Sequence, residues 1–260
     1  MNNKRLETVD AIRGFTIISM ILYHLCWDLK YISGFSMSWY ETYYSFVWQQ
    51  TICYSFILIA GFSMFFARKP MRDGIILFVL GAIITAVTFV AIPDTPILFG
   101  VLTMYGSCKI LVGAFMRNGA KEITKKFKRF FVVGFVVSLL LFIVTRPINE
   151  SYLNLIFKKI YLPLGWYEVS SPSDLVGSLL TYLGIMQRGF FSSDYFSVVP
   201  WIFLFLVGFF FYGVVKDQFG KKIFHINIKP VNFLGRHSLL IYFLHQAVLY
   251  VAATIIGYLR

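Results

Sequence analysis

Apolar positions in this chain come in long unbroken blocks, neither alternating nor confined to a narrow helical stripe. Ile17–Leu22, Ile75–Ile92 and Trp201–Val215 contain no charged side chain. A bilayer core takes roughly 20 apolar residues per helix. Backbone in lipid must satisfy its own hydrogen bonds, so such blocks form helices or closed barrels. Barrel strands would alternate, and these do not. The pattern predicts an all-α, polytopic integral membrane helix bundle of about seven transmembrane helices, at 11–31, 44–66, 73–92, 97–116, 130–146, 198–215 and 237–258. The chain, 1–260, reads as a single transmembrane domain.

Polar punctuation sets the connections. Pro93-Asp94-Thr95-Pro96 is a tight turn that makes the third and fourth helices a hairpin. The segment 147–197, with Pro163, Gly165, Trp166, Tyr167 and Pro172, is a long outer loop too aromatic for disorder. Within it, Asp174–Met186 reads as a short helix with Ser173 as N-cap. The first helix does not read as a cleavable signal, because Arg13, His24 and Asp28 interrupt its apolar run and no small-residue cleavage site follows. Gly61, Gly81, Gly100, Gly106, Gly113 and Gly208 fall within spans, where small residues let helices approach closely.

Composition agrees. The 260 residues are 58% hydrophobic and 14% charged, against about a quarter charged in soluble domains, and mean hydropathy is +0.72. That leaves too little polar surface to cover a water-soluble globule. Charge then gives the orientation. Sixteen of the 24 basic residues lie before Asp10 or in 68–72, 117–129 and 216–236, and six lie in the opposite-side segments. Short basic loops stay cytoplasmic, which puts the N-terminus inside and the C-terminus outside a multi-pass plasma-membrane protein. The net charge of +12 is mostly this topology plus attraction to anionic lipid headgroups. Spread over separate short loops, it does not read as a nucleic-acid site. Cys26, Cys53 and Cys108 all fall in spans without a CxxC partner, so neither a disulfide framework nor a metal site is indicated. No phosphate-binding loop, dinucleotide fingerprint or zinc motif occurs. There is no internal repeat, and the chain is short for an inverted-repeat transporter.

Ionisable groups inside spans are costly unless paired or hydrated, so they mark candidate chemistry. The first helix holds Asp10, Arg13, His24 and Asp28. Asp10 and Arg13, three apart, share a face near the cytoplasmic end, where an ion pair can be purely structural. His24 and Asp28, four apart, share a face about 20 Å along the helix from Ala11, in the outer half of the membrane. A carboxylate one turn away can orient an imidazole for acid–base work. The competing reading is a histidine satisfied within a packed bundle. The last helix holds Arg236 and His237 at the cytoplasmic border, where they can snorkel or hold an anion such as a phosphate. His245, followed by Gln246, sits about 12 Å deeper. Lys109 in the fourth helix needs a partner. Asp194 and Trp201 flank the outer entry to the sixth helix, where an interfacial aromatic anchor beside a solvated acid is the plain alternative to ligand binding.

Asp10-Ala11-Ile12-Arg13-Gly14, followed by apolar residues to His24 and Asp28, resembles the first helix of bacterial proteins similar to the catalytic domain of heparan-α-glucosaminide N-acetyltransferase. Arg13, ten residues and His24 also resemble an element of the wider transmembrane acyltransferase superfamily. Phe99-Gly100-Val101-Leu102 with Gly106 resembles the family's FGIL-type helix, and Ser193-Asp194-Tyr195-Phe196 with Pro200-Trp201 resembles its DYFP…PW element. Leu234-Gly235-Arg236-His237-Ser238-Leu239-Leu240-Ile241-Tyr242 through His245-Gln246 resembles its closing helix. The likeness spans nearly the whole chain. Ser197 stands where the family has a proline, Thr103 and Tyr105 depart from the fourth-helix pattern, and the additional helices of large lysosomal relatives are missing.

The resemblance implies transfer of an acetyl or short acyl group from cytosolic acyl-CoA to a sugar, amino-sugar or lipid-linked glycan acceptor on the outer side of the membrane. Acetyl-CoA would be the donor and no metal is needed. On this reading His24, Asp28 and His245 are catalytic, Arg13, Arg236 and His237 bind the CoA phosphates, and Asp194 and Trp201 contact the acceptor. The alternatives are a small-solute or proton-coupled transporter, with the intramembrane Asp and His residues as a proton relay, and a catalytically inactive partner that binds a lipid or glycan.

Overall fold

A computed structural model describes residues 7–116, 128–155, 157–168, 174–216 and 226–259. Five of its helices are long and apolar enough to cross a membrane: Glu7–Tyr31, Tyr43–Phe66, Pro70–Ala91, Arg129–Glu150 and Ser238–Leu259. Val101–Phe115 and Trp201–Val215 are apolar but shorter. Each predicted span therefore falls on a helix, and five have full spanning length. Much of the basic charge that set the orientation, in 117–127 and at Lys4, Arg5, Lys221 and Lys222, lies outside the described residues.

The chain divides into two compact units, Met1–Ile59 with Asp217–Arg260, and Ala60–Lys216. The first unit contains α1 (Glu7–Tyr31), most of α2 (Tyr43–Phe62), α8 (Lys229–Arg236) and α9 (Ser238–Leu259). Its core is Ile17, Met20 and Ile52, covered by Ile21, Tyr23, Trp48, Phe56, Leu234, Ile241 and Tyr242. The predicted last span, 237–258, falls on α9, and a separate short helix, α8, precedes it. Pro230 opens α8, where a missing N–H is harmless. The break falls at His237, with φ −102 and ψ 15.

Two glycines set how α8 meets α1. A Cβ built on Gly235 falls on the Asp10 carbonyl oxygen, and one on Gly14 falls on the Val231 carbonyl oxygen. The entry to α8 is tied to the start of α1 as well. Ile226 N–H donates to Thr8 Oγ1 (3.0 Å) and Ile228 N–H to Asn232 Oδ1 (3.1 Å), while the buried Asn232 amide donates to the Glu7 carbonyl (3.0 Å). Donors left unpaired at a helix start are thus satisfied by side chains.

The second unit contains α3 (Pro70–Ala91), α4 (Val101–Phe115), α5 (Lys128–Thr145), a β-hairpin, α6 (Leu175–Leu183) and α7 (Trp201–Val215). The 93–96 turn closes the α3–α4 hairpin as predicted, with Thr95 N–H donating to the Ile92 carbonyl at 3.0 Å. Gly74, Gly81 and Gly106 bring the two backbones together; a Cβ on Gly106 meets Phe78 N at 2.7 Å. α4 starts four residues later than predicted because 97–100 is spent on other bonds. Leu98 N–H donates to Ser192 Oγ (2.9 Å), and Phe196 N–H donates to the Phe99 carbonyl (2.9 Å). α7 starts late for the same reason, since Val198 and Val199 donate to the carbonyls of Tyr182 and Leu183.

The 147–197 segment holds an element that the hydrophobic pattern did not announce. β1 (Tyr152–Leu155) and β2 (Lys158–Tyr161) pair antiparallel, with Tyr152 opposite Tyr161. Strands of four residues carry too few positions for an alternation to register. The short helix in this segment is α6, Leu175–Leu183. Its N-cap is Asp174, whose Oδ1 accepts the Val176 N–H at 3.3 Å, and it ends at Gly184 with φ 129. Ser173, the predicted cap, lies outside the described residues.

Candidate functional site

The polar residues of the first unit form two groups along α1, and each is completed from the C-terminal part of the chain. The lower group is built on Asp10. Its carboxylate is 4% exposed and accepts from Arg13 Nη1 at 3.2 Å and from Arg236 Nε at 3.4 Å. Arg13 is therefore not simply half of a helical i,i+3 pair: one buried carboxylate gathers two guanidiniums. The glycine contacts at Gly235, the neighbour of Arg236, and at Gly14 let α8 come this close to α1. Among the described residues, one negative charge against two positive leaves a net positive, donor-rich cluster, which is what an anionic oxygen group requires. Arg236 is 45% exposed, so the cluster opens to a ligand from its side. His237 lies beside it at the α8–α9 break. Its Nδ1 bonds the Phe233 carbonyl at 2.9 Å and its ring lies 4.3 Å from that of Phe233.

The upper group is built on His24. Its ring meets that of His245 with centroids 4.9 Å apart and planes at 63°. Asp28 is fully buried. The sequence pairs Asp28 with His24, but among the described residues its hydrogen bond is to Gln246, whose Nε2 donates to Asp28 Oδ1 at 3.0 Å. A helix places i and i+4 on one face, yet side-chain directions decide which partner is reached, and here the glutamine of α9 is reached. His245 Nδ1 lies 2.6 Å from the Tyr242 carbonyl oxygen. A carbonyl only accepts, so Nδ1 carries the proton and Nε2 of the neutral ring is the lone-pair nitrogen. Three buried atoms of this group make no hydrogen bond among the described residues: Asp28 Oδ2, Gln246 Oε1 and His245 Nε2.

An aromatic wall supports His24. The ring of Tyr23 lies 5.1 Å from Tyr40 and 5.3 Å from Trp48. Tyr40 donates its hydroxyl hydrogen to the Tyr23 carbonyl (3.2 Å), and the Trp48 indole donates to Ser19 Oγ (2.8 Å). At the far end of α1, Ser33 donates to the Ala253 carbonyl (2.6 Å), fixing α1 against α9 next to the site. Sequence reading did not assign roles to Gln246, Tyr40 or Trp48. Gln246 carried the only signal, a second polar residue beside an intramembrane histidine.

Asp194 and Trp201 lie in the second unit. Asp194 Oδ2 accepts the Val101 N–H at 3.4 Å, so the carboxyl caps α4 from a distance in sequence. Burial pushes its pKa up to about 6, and the Val101 N–H opposes that rise. Two of the weaker family-like stretches, around Phe99 and Asp194, thereby prove to be one structural junction. Trp201 is 5% exposed. Its ring packs against Phe142 and Phe196, and the Arg146 guanidinium lies 4.7 Å from its centroid. Within their unit both residues make contacts that hold the chain, Asp194 at the start of α4 and Trp201 against Phe142 and Phe196. Among the described residues no group of three or more His, Cys, Asp or Glu side chains has the arrangement of a metal site.

No curated protein and no solved structure gives a significant match to the chain. A family model described as "Heparan-alpha-glucosaminide N-acetyltransferase, catalytic" matches residues 5–247. That stretch includes both the Asp10 cluster and the paired histidines, along with everything between them. The chain belongs to the heparan-α-glucosaminide N-acetyltransferase catalytic-domain family, a family of membrane acetyltransferases.

Proposed function

We propose that the whole chain works as one multi-pass acyltransferase of the plasma membrane, with its N-terminus in the cytoplasm, moving an acetyl group from cytosolic acetyl-CoA to an amine or hydroxyl of a sugar or glycan on the outer side. The observation that carries this reading is the convergence of His24 and His245 between α1 and α9, with buried hydrogen-bond acceptors beside them, on the same α1 that with the adjoining α8 builds the Arg13–Asp10–Arg236 cluster. The cluster, with His237 at its edge, receives the phosphates of the donor. The pantetheine arm runs along α1, where Arg13 and His24 are eleven residues apart, or about 16 Å.

His24 takes the proton from the acceptor as its nitrogen or oxygen attacks the thioester carbonyl. The C–S bond then breaks, and the histidine proton goes to the departing thiolate. The products are the acetylated acceptor and free CoA thiol. Asp28 and His245 supply acceptor atoms that hold the incoming group, and His245 Nε2 is a second site for the proton.

The test is acetyl-CoA binding and hydrolysis by the purified protein in detergent, wild type against His24→Ala. Both proteins are expected to bind acetyl-CoA, and turnover of the variant is expected to fall roughly 100-fold or more, the scale of a lost general base. If neither protein binds acetyl-CoA, the reading fails, and solute flux into liposomes becomes the measurement that tests a transporter.

A further inference from the structure

Asp28 occupies a position that is unfavourable for a carboxyl group on three counts. It is fully buried, its residue lies in the last turn of α1, where the helix dipole disfavours negative charge, and it sits within an apolar span. A lysine or arginine opposite it would relieve all three by neutralising it. The partner across the helix interface is instead the neutral amide of Gln246, which donates a single hydrogen bond to Oδ1. That bond fixes the rotation of the carboxyl without cancelling its charge, and it leaves Oδ2 unmatched. The glutamine carbonyl Oε1 is unmatched too, as is Nε2 of the adjoining His245. With His245 Nδ1–H held by the Tyr242 carbonyl, Gln246 Oε1, the Nε2 of the neutral His245 ring and the Oδ2 of an ionised Asp28 are all hydrogen-bond acceptors. Buried acceptors without donors are costly, and a group bearing N–H or O–H hydrogens is what satisfies them.

We infer that Gln246 is a positioning residue for acetyl transfer: it orients the Asp28 carboxyl so that Oδ2 is presented to the acyl acceptor. The inference rests on the acetyltransferase reading above. Gln246 itself acts through Asp28 rather than on the reacting atoms.

The experiment compares acetyl-CoA turnover and thermal stability in detergent for wild type, Gln246→Ala, and the double variant Asp28→Asn with Gln246→Glu. The double variant exchanges amide and acid, so one N–H···O bond between α1 and α9 remains while the carboxyl moves to α9. For Gln246→Ala, kcat is expected to fall roughly 10- to 100-fold, the usual cost of losing an orienting partner, with the KM for acetyl-CoA within about threefold, because binding shared by ground and transition state is untouched. The exchanged pair is expected to melt close to wild type and to stay as slow as Gln246→Ala. Turnover of the exchanged pair at the wild-type rate overturns the inference, because the bond would then be purely structural. So does Gln246→Ala with full kcat, a raised KM at unchanged kcat, or an exchanged pair that melts far below wild type. Wild type that neither binds nor turns over acetyl-CoA overturns the acetyltransferase reading and this inference with it; an active wild type with a fully active Gln246→Ala overturns this inference alone.

Discussion

A buried carboxylate between two guanidiniums does two things at once. Asp10 holds Arg13 and Arg236 in place, and it lowers what it costs to keep two like charges together. Removing one guanidinium leaves Asp10 paired and the ligand short of a charge-assisted bond, worth about 1.5–3 kcal/mol. Arg236→Ala is therefore expected to weaken acetyl-CoA binding roughly 10- to 100-fold, read by titration calorimetry, with kcat at saturation much less affected. Asp194 offers a different test at the same scale. Its folded pKa is raised to about 6 by burial, above the unfolded value of about 3.9, so the fold favours the neutral acid. The stability that this residue contributes is complete below about pH 4 and is lost as pH rises through about 6. Melting curves taken across that window are expected to fall with pH for wild type and to lose this slope in Asp194→Asn.

At the level of elements, the donor cluster depends on how tightly α8 seats on α1. Gly235 touches the Asp10 carbonyl and Gly14 touches Val231, so the backbones are in contact and there is no room for a methyl group. Gly235→Ala must lift α8 and carry Arg236 away from Asp10. The expected cost is about 1–3 kcal/mol of stability, the scale of overpacking a tight contact, together with weaker acetyl-CoA binding. A Cβ on Gly165 meets nothing within 4 Å, so Gly165→Ala in the outer segment is the matched control, with an unchanged melting temperature and unchanged binding. The start of α4 shows the same dependence on a remote partner. Its first N–H is received by Asp194, ninety-three residues later in the chain, and Phe99 just before it adopts φ 53, a left-handed conformation that a bulky residue keeps only under tertiary constraint.

For the whole molecule, the proposed reaction needs a donor on one side of the membrane and an acceptor on the other, so sidedness is the property to measure. In a background with Cys26, Cys53 and Cys108 replaced, single cysteines at Lys121→Cys and Phe157→Cys are expected to label from opposite faces of sealed vesicles, Lys121 from the cytoplasmic side. Labelling of both from one face would contradict the orientation drawn from loop charge. Phe157 suits the purpose because it is 99% exposed at the tip of the hairpin.

Helix existence was legible in the chain because lipid leaves the backbone one economical solution, and uncharged runs such as 75–92 allow no other. The Pro93–Pro96 turn was legible because proline fixes φ locally. His24, Asp28, Arg13, Arg236 and His245 could be picked out singly, since an ionisable group in an apolar span is conspicuous wherever it falls. Which of them meet was not legible. Helical periodicity pointed Asp28 at His24, whereas the folded chain gives Asp28 to Gln246 and His24 to His245. It read Arg13 with Asp10 alone, whereas Arg236 joins them. Those partners lie more than two hundred residues apart in sequence. No local pattern encodes a contact of that separation; it is decided by where glycines let helices touch and by which way each side chain leaves its helix. The residues with chemistry to offer are a property of the sequence, and the site they make together is a property of the tertiary structure.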